Sequence, residues 1–225
     1  MKKEERYYDT PIGRLPSVTT VIGILDKPAI RNWAIKVTVD YIKSNVNKLK
    51  KMKAGEELKL FQEACREHEK IRQEAADIGI EVHEDIRRYV TEGIKPKRHL
   101  DLFNKFLEWF KDIDKVIESE KMVWSRLGYA GTLDLIAQRN KDLIIVDFKT
   151  SNQIYVPEFL MQLAAYKNAY FEQTGNFVKS MGILRIDKSG KKIEYREWND
   201  TKIYAKHLSM FRCLLGYFKL LKEVL

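Results

Sequence analysis

Two acidic residues on neighbouring predicted strands constrain this chain more than any other feature. Residues 130–139 and 142–150 are rich in β-forming side chains, and a polar turn centred on Asn140-Lys141 separates them. If those two residues form a two-residue hairpin turn, facing residues have numbers that sum to a constant. Asp134 then lies directly across from Asp147, and the sequence predicts an acidic pair on one face of a β-hairpin.

A lysine lies beside this acidic pair. Side chains alternate along a strand, so Asp147 and Lys149 share a face, and Thr132 lies across from Lys149. Facing carboxylates repel each other across a hairpin, whereas a divalent cation with oxygen ligands offsets that repulsion. Ordinary solvated charges are the alternative, but the apolar run at residues 143–146 argues against them. We therefore expect a metal site in which Lys149 orients water or stabilises phosphate charge.

The order of predicted elements indicates an α+β fold of the α/β sandwich type. Residues 1–115 are mainly helical in pattern, and residues 116–225 follow the order β-β-β-α-β-β-α. We expect a sheet with flanking helices behind a helical N-terminal region, in which Ser17 caps the first helix. A chain of 225 residues suits a single domain, so residues 1–225 are predicted to form one unit.

Charge and cysteine content narrow the class of partner and the compartment. The net charge of +9 favours a polyanion, either nucleic acid or an acidic membrane surface, although a merely basic protein is the alternative. Two cysteines suggest a reducing compartment and cannot supply the four thiolates of an iron–sulfur cluster. No apolar run approaches the roughly 20 residues that span a bilayer, and the N-terminus lacks the apolar segment of a signal peptide. A cytoplasmic protein without a membrane partner is expected.

Three further residues are candidates for the same site as the acidic pair. His83 lies on a predicted helix with apolar neighbours, where a histidine is more often a partly buried side chain than a ligand. Gln162 and Tyr166 are four residues apart and therefore share one face of the predicted helix at 157–173. Because that helix follows the strand that carries Asp147, we expect it to pack close to the acidic pair.

The order of these residues resembles the RecB-like branch of the PD-(D/E)XK nuclease superfamily. The resemblance covers roughly residues 79–170, and its motifs in chain order are His83, Gly131-Thr132-Leu133-Asp134, Asp147-Phe148-Lys149-Thr150 and Gln162-Leu163-Ala164-Ala165-Tyr166. The segment at residues 16–20 is also similar to phage-type members and to the mitochondrial genome maintenance exonuclease. The resemblance implies the central mixed sheet of that superfamily.

The resemblance also implies roles for individual residues. The implied metal ligands, for Mg²⁺ or Mn²⁺, are His83, Asp134, Asp147 and the backbone carbonyl of Phe148. The implied catalytic residues are Asp134, Asp147 and Lys149, where Lys149 positions the attacking water. The implied supporting and DNA-contacting residues are Gln162, Tyr166 and Thr150. The family also has an acidic residue before the metal-binding strand, and the one obvious candidate for it in this sequence is Glu120.

The expected function is a metal-dependent DNA exonuclease that hydrolyses phosphodiester bonds from the ends of single-stranded or flapped DNA. A structure-specific endonuclease of the same superfamily and a catalytically silent DNA-binding module are the alternatives. No Walker A pattern occurs in the sequence, so we expect no ATP cofactor, and no iron–sulfur cluster is expected. The resemblance suggests DNA repair or recombination, with replication or recombination proteins as partners. The polarity of digestion stays open.

Overall fold

The computed structural model describes residues 5–53 and 55–224, which form strands and helices in alternating groups. The strands are β1 (Tyr7–Thr10), β2 (Gly13–Pro16), β3 (Lys115–Ser125), β4 (Tyr129–Arg139), β5 (Asp142–Lys149), β6 (Ser180–Ile186) and β7 (Ile193–Trp198). The helices are α1 (Val18–Ile22), α2 (Pro28–Ser44), α3 (Val46–Leu49), α4 (Glu57–Glu92), α5 (Leu100–Phe110), α6 (Val156–Thr174) and α7 (Thr201–Val224). From β3 onward, the order β-β-β-α-β-β-α is the predicted one.

A five-stranded mixed sheet carries the residues of interest. Its strand order is β3-β4-β5-β6-β7, and β1 and β2 form a separate two-stranded ribbon. All neighbouring pairs in the large sheet are antiparallel except β5 and β6, which are parallel. Parallel neighbours need a crossover connection, and α6 provides it. The predicted central mixed sheet is confirmed.

The hairpin between β4 and β5 has the predicted register. Its Cα pairs run from Arg139–Asp142 to Leu135–Val146. Asn140 and Lys141 have φ values of 51° and 69°, as a two-residue type I′ turn requires. The ladder ends at Leu135–Val146, so the predicted acidic pair lies one step beyond its last backbone pair.

Helices cover both faces of the sheet. The ring of Phe148 packs against Phe106 and Trp109 of α5, with centroid distances of 5.8 and 6.3 Å. The preceding residue, Asp147, accepts a hydrogen bond from Gln162 of α6. Adjacent strand residues point to opposite faces, so α5 and α6 lie on opposite sides of β5. The predicted α/β sandwich is confirmed.

The ribbon of β1 and β2 is joined to the start of β4. Ser17 caps α1, as predicted, by accepting a hydrogen bond from the Thr20 N–H at 2.9 Å. The Ser17 N–H donates to the Arg6 carbonyl at 2.8 Å, and Ser17 also forms a parallel bridge with Ala130. These contacts hold the ribbon beside the first residues of β4.

The chain divides into two compact units. Leu25–Ile80 forms one unit, and the described residues before and after that segment form the other. Helix α4 is continuous through Gly79. A glycine in a helix interior costs only about 1 kcal/mol, so it does not have to end a helix. That the whole chain acts as a single domain stays a prediction.

None of the helices in the described part of the chain combines the length and the apolar character needed to cross a membrane.

Candidate active site

His83 and Asp134 come together from a helix and a strand. Asp134 Oδ2 accepts a hydrogen bond of 2.7 Å from the Phe148 N–H, and His83 Nδ1 lies 3.6 Å from the same oxygen. The His83 ring also packs edge-on against Phe148, at a centroid distance of 6.0 Å. Asp134 is buried, and the His83 side chain is partly exposed. The structure therefore places His83 beside the acid with which the sequence grouped it.

Glu120 joins this pair from β3. Ser119 pairs with Leu135 and Lys121 pairs with Leu133, so Glu120 lies opposite Asp134. Glu120 and Asp134 are not themselves a backbone pair of the ladder. Glu120 has a left-handed φ of 49°. Burial, and then the negative charge of Asp134, raise the pKa of Glu120 to about 7. Its carboxylate thus lies in an environment that disfavours a second negative charge.

These three side chains can offer ligand atoms to one metal ion. One ligand atom each from His83, Glu120 and Asp134 lies within 4.8 Å of the other two. An imidazole nitrogen with carboxylate oxygens is a donor set that divalent cations accept, and the carboxylates suit Mg²⁺ and Mn²⁺. A cation would also relieve the repulsion that raises the Glu120 pKa. The residues present therefore fit a divalent metal.

Asp147 is the most deeply buried acid of the site. Only 2% of the residue is exposed, and its Oδ1 accepts a hydrogen bond of 2.9 Å from Gln162 Nε2. Its Oδ2 lies 2.6 Å from Lys149 Nζ in an ion pair, but this oxygen has no well-aligned hydrogen bond among the described residues. Burial raises the pKa of Asp147 to about 6, Lys149 opposes that rise, and Asp134 adds to it. A ligand role for Asp147 stays a prediction, because the residues whose possible ligand atoms lie together are His83, Glu120 and Asp134.

Lys149 is held by three groups of different character. Its ammonium pairs with Asp147, lies 3.4 Å from Gln162 Oε1, and stands 5.0 Å from the centre of the Phe159 ring. The ring face attracts the cation, and the two oxygens attract its N–H groups. The ammonium is thereby kept next to the acids instead of extending into solvent.

Gln162 and Tyr166 support the site from α6. Gln162 Nε2 lies 3.5 Å from the Tyr166 hydroxyl in addition to its bond to Asp147. The Tyr166 ring lies against the backbone of Gly131, where a Cβ atom would stand 2.6 Å from Tyr166 Cε1. Glycine in the Gly131-x-x-Asp134 motif therefore permits a close approach of ring to backbone. The structure brings both predicted α6 residues to the acidic pair.

For two of the predicted site groups, the Phe148 carbonyl and Thr150, the described residues show no contact that corresponds to the predicted role. Phe148 contributes its N–H to Asp134, and a ligand role for its carbonyl stays a prediction. Thr150 is half-buried, and its hydroxyl makes no hydrogen bond within residues 5–53 and 55–224, so its DNA-contacting role also stays a prediction.

Sequence reasoning gave little weight to Glu120 and did not foresee the contact between Tyr8 and Thr132. The Tyr8 hydroxyl lies 3.1 Å from Thr132 Oγ1, which joins the N-terminal ribbon to the strand that carries Asp134. The position of Glu120 opposite Asp134 could have been predicted from the short loop before Tyr129, because the length of that loop determines the register of β3 against β4.

The acids and the lysine lie on three adjacent strands of the mixed sheet, Glu120 and Asp134 in the middle of β3 and β4, and Asp147 and Lys149 at the end of β5. The sequence profile of the PD-(D/E)XK nuclease superfamily matches residues 44–214, and the chain belongs to this superfamily. A search of curated proteins found no match.

Among solved structures, the chain is similar to one described as "Crystal structure of SSO0001". The two share 18% sequence identity over 51% of this chain and 57% of that chain, with a TM-score of 0.31. The present chain thus spans little more than half the length of that protein, and a similarity this low supports no argument about function.

Proposed function

We propose that this chain is a Mg²⁺- or Mn²⁺-dependent deoxyribonuclease of the RecB-like branch, which hydrolyses phosphodiester bonds from the ends of single-stranded or flapped DNA. The observation that carries the proposal is the cluster of His83, Glu120 and Asp134 beside the pair of Asp147 and Lys149. The net charge of +9 favours a polyanionic substrate.

The metal would be held by residues from a helix and three strands. His83, Glu120 and Asp134 would supply a nitrogen and two carboxylates. Asp147 Oδ2, which pairs with Lys149 in this structure, would be a further ligand. When bound, a divalent cation supplies a Lewis acid next to the phosphate and neutralises part of its charge.

Lys149 and Gln162 would act on the phosphate and the water. Negative charge is spread over the non-bridging oxygens of the phosphate in the transition state. The Lys149 ammonium can donate a hydrogen bond to one of these oxygens, or to the attacking water, and its fixed positive charge stabilises that state. Gln162 contacts both Asp147 and Lys149, so it keeps the carboxylate and the ammonium in register during this step.

The preference for DNA ends rests on the resemblance to RecB-like nucleases, in which helices that precede the sheet admit a strand or an end. The same resemblance suggests a role in repair or recombination, with replication or recombination proteins as partners.

A time course on three labelled DNAs tests the proposal. Linear single-stranded, linear duplex and circular single-stranded DNA would be incubated with Mg²⁺, with Mn²⁺ or with EDTA. We expect metal-dependent loss of the linear strands while the circle survives, and the position of the label would give the polarity.

Two variants on β5 make the test specific. Asp147→Asn should abolish cleavage and retain the fold, because it changes charge and hydrogen bonding but hardly changes volume. Asp142→Asn is the matched control, since Asp142 is partly exposed and pairs with Lys179 instead of the site. Cleavage of the circle would favour the endonuclease, and activity in Asp147→Asn would refute the catalytic role of Asp147.

A further inference from the structure

The ribbon of β1 and β2 carries two arginine–tyrosine pairs. The Arg6 guanidinium lies 4.8 Å from the centre of the Tyr8 ring, and the Arg14 guanidinium lies 5.2 Å from the centre of the Tyr7 ring. Tyr7 and Tyr8 are neighbours on one strand, so their side chains point to opposite faces of the ribbon. The ribbon therefore presents a similar cationic pair on each face.

The face with Tyr8 is the one that meets the candidate active site. The Tyr8 hydroxyl lies 3.1 Å from Thr132 Oγ1. Thr132 precedes Asp134 by two residues on the same strand, which places the two side chains on one face about 7 Å apart. The bridge between Ser17 and Ala130 and the bond from the Ser17 N–H to the Arg6 carbonyl hold the ribbon there.

The Arg6 side chain is exposed and forms no ion pair within the described residues, although an aromatic ring restrains it. A guanidinium in a fixed position loses less conformational entropy when it binds an anion, and its planar fork matches phosphate geometry. We propose that Arg6 binds a backbone phosphate of the substrate strand on the side of the site where Tyr8 meets Thr132, and that Tyr8 is the residue that positions Arg6. This inference rests on the proposed nuclease function.

The expected size of the effect follows from counterion release. Each phosphate contact contributes about −0.7 to the slope of log affinity against log salt for a single strand. Loss of one contact should make the slope shallower by that amount. Between about 50 and 200 mM salt, the affinity of the wild type should then fall roughly 2.6-fold further than that of the variant.

The experiment measures binding and turnover separately. Fluorescence anisotropy of a short labelled single-stranded oligonucleotide in EDTA gives the affinity and its salt slope, and digestion with Mg²⁺ gives KM and kcat. Arg6→Gln and Tyr8→Leu test the proposed pair, and Arg14→Gln and Tyr7→Leu are matched controls on the other face. Arg6→Lys retains the charge, and thermal unfolding of each variant verifies the fold.

We expect the slope of log affinity against log salt to be shallower by about 0.7 in Arg6→Gln. That variant should also have a higher KM with little change in kcat, whereas Arg14→Gln should keep the wild-type slope. Tyr8→Leu should raise KM but keep the wild-type slope, because Arg6 still carries its charge. The Arg6→Gln/Tyr8→Leu double variant should bind no more weakly than Arg6→Gln alone, because Tyr8 acts through Arg6. A wild-type slope in Arg6→Gln, or equal losses in the two arginine variants, would overturn the inference.

Failure of the inference and failure of the proposed function give different results. If the wild type cleaves DNA and Arg6→Gln binds normally, the nuclease proposal stands and the Arg6 site is wrong. If the wild type never cleaves but Arg6→Gln still loses the slope increment, the phosphate site stands and the nuclease proposal is wrong.

Discussion

Adding a single methyl group at Gly131 should displace Tyr166 and loosen the active site. A Cβ atom there would stand 2.6 Å from Tyr166 Cε1 and 2.9 Å from its hydroxyl oxygen. Favourable contacts between carbon atoms occur at about 3.5–4.0 Å, so the ring must move by roughly 1 Å. Tyr166 is only 4% exposed, and little free space is available to absorb that shift.

The magnitude has two components. Forcing an extra methyl into a packed region costs about 1–3 kcal/mol in the free energy of unfolding, and each kcal/mol lowers the Tm of a chain of this size by about 2–4 °C. The movement also reaches Gln162, whose amide lies 3.5 Å from the Tyr166 hydroxyl and holds Asp147. A misplacement of about 1 Å can lower kcat/KM by up to roughly 100-fold.

Chemical and thermal unfolding, together with the digestion assay, measure both components. Gly216→Ala is the control, because the residue is in α7 and, in the part of the chain that the structure describes, nothing outside the backbone of that helix lies within 4 Å of the added Cβ. That variant should be more stable by about 0.5–1 kcal/mol, since alanine favours a helix over glycine. Tyr166→Leu added to Gly131→Ala should recover part of the lost stability, because the smaller side chain leaves room for the methyl group.

A Gly131→Ala protein with wild-type stability and wild-type kcat/KM would refute this reasoning. It would mean that the Tyr166 ring moves freely and that its position over Gly131 matters neither for packing nor for catalysis. A loss of stability that Tyr166→Leu does not reduce would place the clash elsewhere.

Three further perturbations act on the charged groups. Burial and Asp134 raise the pKa of Glu120 from 4.5 to about 7 in the metal-free protein, so the native state keeps a proton that the unfolded chain loses between those pH values. The free energy of unfolding, measured in EDTA, should therefore fall as pH rises from 4.5 to about 7. The fall should be smaller in Glu120→Gln, and a variant with the same pH profile as the wild type would contradict this. His83→Ala should weaken Mn²⁺ binding by about tenfold or more in calorimetric titration, and unchanged affinity would leave His83 a packing residue. Gln162→Leu leaves Asp147 Oδ1 without its donor and should cost about 1–3 kcal/mol of stability along with activity, whereas a neutral result in unfolding would mean that water replaces the amide.

The register of β4 against β5 could be predicted from sequence because it depends on local geometry. A two-residue turn determines which residues face each other, and Asn140 readily adopts the positive φ that this turn needs. The helix N-cap at Ser17 was predictable for the same reason, since it depends only on the Ser17 hydroxyl and the N–H of a residue three positions later.

The contacts made by tertiary packing could not be predicted in this way. Periodicity places Tyr166 on the same helix face as Gln162, but nothing local indicates that its ring lies over Gly131. The same holds for His83, whose neighbours on α4 do not show that its ring meets Phe148 of β5. The continuity of α4 through Gly79 has a different cause, because the neighbouring helix formers outweigh a cost of about 1 kcal/mol.

Glu120 marks the limit of what local geometry determines. The loop between Ser125 and Tyr129 fixes the register of β3 against β4, so the arithmetic that pairs the other acids also places Glu120 opposite Asp134. Three acids then form one row across β3, β4 and β5, where like charges destabilise a sheet. Backbone pairing is interrupted along this row, because Glu120 adopts a left-handed φ and the Phe148 N–H bonds the Asp134 side chain. A chain that gives up backbone pairing and keeps all three carboxylates is best explained if a cation, and not the sheet, compensates their charge.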